Sequence, residues 1–134
     1  MKVHFLIFSL LASISVGLLA CSSPLPKSLN VDESSSGKEI VLPLNGSLKI
    51  TLEANISSGY SWNEQLTIDD EFVIKQSEYK YEPAIPSIPG IGTQVWTLKA
   101  VGAGKATITN VYGGIDVGSQ NTKSFTLFII VKSK

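Results

Sequence analysis

Arginine is absent from this 134-residue sequence, histidine and cysteine occur once each, and eleven lysines balance eleven carboxylates to a net charge of zero. Nucleic-acid partners leave a surplus of clustered cations, and there is none here. Nor is there a polybasic stretch to hold an anionic membrane. Charged residues are scarce at 16%, while hydrophobic ones make up 43%, a balance that suits a folded core and argues against disorder. The length fits one domain.

Even the single histidine and cysteine fall in or beside the first twenty residues. Met1-Lys2 precedes an apolar run through Phe5, Leu6, Ile7, Phe8, Leu10 and Leu11 that continues to Ala20. A charged start, an apolar stretch and small residues describe a secretory signal. Leu18-Leu19-Ala20-Cys21 resembles a bacterial lipobox, and Ser22-Ser23-Pro24 opens a polar segment behind it. The resemblance implies that residues 1–20 are cleaved as a lipoprotein signal peptide. It also implies that Cys21 carries acyl chains such as palmitate, and that the protein sits in the cell envelope on the extracytoplasmic side. Each buried methylene contributes about 0.8 kcal/mol, so two or three chains anchor firmly. The other reading of the segment is a retained signal anchor with a free Cys21.

Removing residues 1–20 leaves 114 residues with no His, no Arg and a lipidated thiol. A histidine base, a cysteine nucleophile and an imidazole or thiolate metal site are thereby excluded by inventory. Disulfides are excluded as well, so the domain must rely on its core. No cofactor or metal is expected.

Residues 21–38, with Pro24, Pro26 and Ser34-Ser35-Ser36-Gly37, read as a lipidated, flexible tether. From residue 39 to 134 the pattern is β. Leu48, Ile50 and Leu52 alternate with Lys49, Thr51 and Glu53; Ala106 and Ile108 alternate with Thr107 and Thr109; Phe125, Leu127, Ile129 and Val131 share one face of the last strand. Asn45-Gly46 signals a turn, and Gly102-Ala103-Gly104 a hairpin. Seven or eight short strands predict a two-sheet antiparallel β-sandwich. Asp69-Asp70-Glu71 reads as a solvated acidic turn, lacking the spaced carboxylates and the glycine of a calcium loop. Tyr60, Trp62, Tyr79, Tyr81 and Trp96 suit core packing, with a carbohydrate strip as the other reading.

Asn55-Ile56-Ser57-Ser58-Gly59-Tyr60-Ser61-Trp62 is the most specific stretch. It resembles the first loop of the chagasin family of cysteine-peptidase inhibitors, commonly Asn-Pro-Thr-Thr-Gly-Tyr-x-Trp. Pro89-Gly90-Ile91-Gly92-Thr93-Gln94-Val95-Trp96-Thr97-Leu98-Lys99-Ala100 resembles that family's glycine-rich loop and the strand behind it. The likeness spans residues 39 to 132. It implies an immunoglobulin-like β-sandwich whose three loops, here 55–60, 83–93 and 113–121, wedge non-covalently into the cleft of a papain-like cysteine peptidase. Carried over by motif, Asn55, Ser57, Ser58, Gly59 and Tyr60 form the first contact and Gly90 and Gly92 the second; by their place in the loops, Ile91 joins the second and Tyr112, Gly113 and Gly114 make the third. Trp62 and Trp96 match family aromatic positions, where core packing is implied.

Four departures stand out. The second loop reads Pro89-Gly90-Ile91-Gly92 where the family tends to have Gly-x-Gly-Gly. Ile56 replaces a proline, Ser57 and Ser58 replace threonines, and Gly113-Gly114-Ile115-Asp116 stands where the family usually has Arg-Pro-Trp. A Trp or Arg anchor is commonly worth about 2–4 kcal/mol of binding. Three functions follow: a monomeric inhibitor with a peptidase partner; a chagasin-fold surface lipoprotein binding another protein or a glycan; or a carboxylate-only hydrolase using Glu53, Asp69 or Glu78. The first needs no acid, base or nucleophile, and it suits a chain without them.

Overall fold

A computed structural model of the chain describes residues 24–114 and 121–133. The expected signal peptide and Cys21 lie outside them. Among the described residues nine strands form two facing sheets, an immunoglobulin-like β-sandwich. The first sheet runs β1 (Ser28–Val31), β3 (Ser47–Asn55), β7 (Ile88–Ala100), β6 (Ile74–Ile85). The second runs β2 (Glu39–Pro43), β9 (Asn121–Lys132), β8 (Gly104–Gly114), β4 (Tyr60–Trp62), with β5 (Thr67–Ile68) also on β8.

The alternation read in the sequence is the alternation of burial. Leu48, Ile50 and Leu52 are wholly buried on β3; Ala106 and Ile108 on β8 are buried beside Phe125, Leu127, Ile129 and Val131 of the neighbouring β9, and Trp62 and Trp96 fill the space between sheets. Each indole N–H finds a carbonyl, Trp62 at Glu53 (3.0 Å) and Trp96 at Glu64 (2.8 Å), as buried tryptophans require. Both tryptophans are core, which disposes of the carbohydrate reading for them.

Four expectations are corrected. The sheets are mixed, because β1 pairs parallel with β3 and β2 parallel with β9. The tether does not extend to residue 38. Leu29 and Val31 cover the core edge in β1, and a 3-10 turn (Glu33–Ser35) crosses to β2. That crossing is pinned to β9 where Gly37 N–H meets the Thr126 carbonyl (2.7 Å). The turn through Gly102 and Gly104 carries the chain from β7 in one sheet to β8 in the other, so it is not a hairpin. A Cβ at Gly102 would stand 2.2 Å from the Phe72 carbonyl oxygen, which is why this sheet-switching bend needs glycine. Finally, residues 83–93 are not an irregular loop. They are the tip of the β6–β7 hairpin, closed by a two-residue turn at Pro86 and Ser87.

Asp69 and Asp70 serve the turn before β6. The Asp69 carboxylate accepts the Thr107 N–H (2.7 Å) and Asp70 the Phe72 N–H (3.0 Å).

Candidate functional site

β3 ends at Asn55, and the chain then tightens into a 3-10 turn, Ile56–Ser58, before β4 begins at Tyr60. Asn55 organises this turn. Its side-chain oxygen accepts the Ser57 hydroxyl, and its backbone carbonyl accepts the Ser58 hydroxyl at 2.6 Å. The turn closes where Gly59 N–H reaches the Ile56 carbonyl (3.1 Å), and Gly59 itself has φ +83°. An L side chain there would be strained by about 1 kcal/mol or more, so glycine is required by conformation. Residues 55–58 are all exposed.

The β6–β7 hairpin stands beside this turn. Asn55 pairs with Ile91 and Ala54 with Gly92. A Cβ on Gly90 would lie 2.3 Å from the Ser57 Cβ, and one on Gly92 would lie 2.2 Å from the Glu82 carbonyl oxygen. Here the glycines are required for want of space. The Tyr81 hydroxyl donates to the Pro89 carbonyl (2.7 Å) and braces the tip from inside the hairpin.

The third segment arrives on β8. Tyr60 pairs with Gly114 and Ser61 with Gly113, so both glycines are part of the β4–β8 ladder. Tyr112 stacks against Tyr60, ring centroids 6.2 Å apart, and its hydroxyl accepts the Asn55 N–H (3.1 Å). Residues 115–120 of the expected third loop lie outside the described residues. Residues 55–60, 90–92 and 112–114 thus occupy one end of the sandwich and touch one another.

Several supporting residues carry no motif. The Lys123 ammonium lies 4.7 Å from the Tyr112 ring centre and 5.4 Å from that of Trp62, within cation–π range. It also pairs with Glu33 at 3.1 Å, tying the first 3-10 turn to the same end. Gln94 is buried between the sheets. It accepts the Trp62 N–H (2.8 Å) and donates to the Trp62 carbonyl (2.9 Å) and the Tyr79 hydroxyl (2.9 Å). Asn110 brackets Asn63 in the same way (3.1 and 3.0 Å). A buried amide in an otherwise apolar strand was the available signal for both, because such groups must find partners. Sequence reasoning also passed over Ile85 and Ile88, which are exposed at the hairpin tip.

A family model described as chagasin family peptidase inhibitor I42 matches residues 41–129. No curated protein sequence matches the chain closely enough to count as a relative. Among solved structures, the chain is similar to the cysteine protease inhibitor EhICP2 from Entamoeba histolytica. The two share 22% identity, with a TM-score of 0.67 over 78% of this chain and 95% of that one. It is also similar to PbICP-C, solved in complex with falcipain-2. There the identity is 17% and the TM-score 0.52, over 80% of this chain and 100% of that one. Amebosin matches with 20% identity and a TM-score of 0.50, over 80% and 99%. At these identities the likeness is one of fold.

Proposed function

The chain belongs to the chagasin family of peptidase inhibitors, and from that premise we propose that it blocks papain-like cysteine peptidases non-covalently through the end that carries residues 55–60, 90–92 and 112–114. The observation that supports this most is the packing of Gly90 against Ser57, which joins the two family motifs into one surface. Ser57, Ser58 and Gly59 present small side chains, so the backbone can come close to a nucleophile set in a cleft.

Such an inhibitor must also survive its target. Peptidases bind substrates as extended strands, whereas Ile56–Ser58 is a closed 3-10 turn followed by Gly59 at φ +83°. The turn therefore offers the nucleophile no extended peptide bond to attack. Its hydrogen bonds to Asn55 and Tyr112 hold that shape before binding, which lowers the ordering cost. No general acid, base or metal enters the reading, and the protein acts as an inhibitor rather than an enzyme.

We further propose that Cys21 is lipidated and holds the domain in the cell envelope. The support is the Leu18-Leu19-Ala20-Cys21 motif. Mass spectrometry of the membrane fraction tests it, and an unmodified Cys21 thiol there refutes it.

The inhibitor reading is tested by titrating papain with the purified chain. Inhibition constants below about 1 μM are expected, with Ser58→Arg weakening them at least about 100-fold, since an arginine at the apex would block the approach. Papain fully active at about 100 μM of the chain overturns the reading.

A further inference from the structure

Exposed large hydrophobic residues are few among the described residues, and four of the seven sit at the functional end: Ile56 (39%), Ile85 (52%), Ile88 (49%) and Ile91 (50%). Three of them, with Ala84, line a small cup of about 40 Å³ at the hairpin tip. Residues 83–93 contain no ionisable side chain, although the whole chain has eleven lysines and eleven carboxylates. A concentrated, half-exposed apolar surface marks an interaction site, and this one is continuous with the Ser57–Gly90 contact.

We propose that the isoleucines of the hairpin tip, flanked by Ile56, form an apolar clamp that replaces the missing third-loop anchor and selects peptidases whose cleft wall is apolar and uncharged. The proposal rests on the inhibitor reading. Gly113 and Gly114 have no side chains to bury, so these two positions cannot supply the contact that Arg-Pro-Trp makes in the family. Each isoleucine keeps about half its surface in water, and covering that half corresponds to a factor of about 5–10 in affinity. A carboxylate in the wall facing the hairpin tip would be desolvated with no cation from residues 83–93 to meet it, and Lys123, which shares a pocket with Ala84 and Ile91, is already paired with Glu33. Enzymes that use such a carboxylate to take basic substrate side chains are therefore bound about 100-fold more weakly.

The test uses the full chain in detergent against papain and against a papain-like peptidase that accepts arginine at the same subsite. Wild type is expected to favour papain. Ile85→Ser with Ile88→Ser should raise the papain inhibition constant about 30- to 100-fold with little change in melting temperature. Ile88→Lys, at an exposed position beside the turn, keeps the test valid if the double variant misfolds. It should lose papain while gaining on the arginine-accepting enzyme. Unchanged papain inhibition in the isoleucine variants, alongside weakening by Ser58→Arg, overturns the clamp and leaves the inhibitor reading standing. Equal inhibition of both enzymes by wild type does the same. Sedimentation showing a dimer that Ile88→Lys dissociates would mean that a second copy covers the patch, and it too overturns the clamp. If wild type inhibits neither enzyme, the inhibitor reading falls first and the clamp with it.

Discussion

At Gly90 and Gly59 the same residue type answers two different demands. Gly59 has open space around its Cα and a φ of +83°, whereas Gly90 has no room for a Cβ. The two substitutions therefore fail differently. Gly59→Ala strains the backbone and is expected to lower stability by about 1 kcal/mol, seen in urea denaturation. Gly90→Ala drives a methyl into Ser57 and shifts the turn. It is expected to weaken papain inhibition about tenfold or more, with a smaller stability loss than a core substitution. Both glycines were legible in the sequence as parts of a motif. Which demand each one meets was not, because it depends on the neighbouring strand. Tyr79 shows a similar division. Its half-buried position was legible as core packing, but its bond to Gln94 was not. Burial raises the Tyr79 pKa, and the Gln94 amide partly offsets this. A raised folded pKa means stability is fully present below the unfolded value of about 10 and is lost as pH rises through the folded one. Melting temperature should therefore fall above about pH 10, and Tyr79→Phe should reduce that fall.

β4 is three residues long and pairs with β8 by three residues, too little to fix it alone. Side-chain amides, two of them buried, complete the job. Gln94 reaches from β7 in the opposite sheet and makes to Trp62 the two hydrogen bonds a neighbouring strand would make. Asn110 does so for Asn63, and Gln76 bridges the Glu64 carbonyl and the Leu66 N–H. Gln94→Leu would leave the Trp62 N–H and carbonyl buried without partners, a loss of about 2–4 kcal/mol in unfolding free energy. Because β4 continues directly from the 55–59 turn, the same variant should weaken inhibition even where the protein is still folded, as measured at low temperature. The long strands were read correctly where burial on one face wrote itself as alternation, as in Phe125, Leu127, Ile129 and Val131. β1 escaped notice because four residues with two apolar positions carry almost no periodic signal. The hairpin tip was hidden by Pro83, Pro86 and Pro89. β6 is the outer strand of its sheet, so Pro83, which lacks an N–H, can be tolerated there.

The sandwich as a whole has a working end and a plain end. Ser28 of β1 pairs with Ser47, and Lys132 of β9 pairs with Pro43. Asn55 and Gly114 stand at the other extremes of their strands, and Ile91 pairs with Asn55 there. The sequence carried the loops that meet at the working end but not this polarity, since it follows from the two parallel pairings. A folded protein fused after Lys134 should therefore leave the papain inhibition constant within about twofold, whereas one inserted between Pro86 and Ser87 should abolish inhibition. The same polarity bears on where the protein could act. Six residues separate Cys21 from Ser28, so the two lie at most about 25 Å apart along the chain. Were Cys21 lipidated as proposed, the bilayer would lie on the side of the plain end, and the Ser57–Gly90 edge would point outward like the head of a short stalk. Enzymes lying flat on the same membrane would pass beneath it, and those arriving from the surrounding fluid would meet it first.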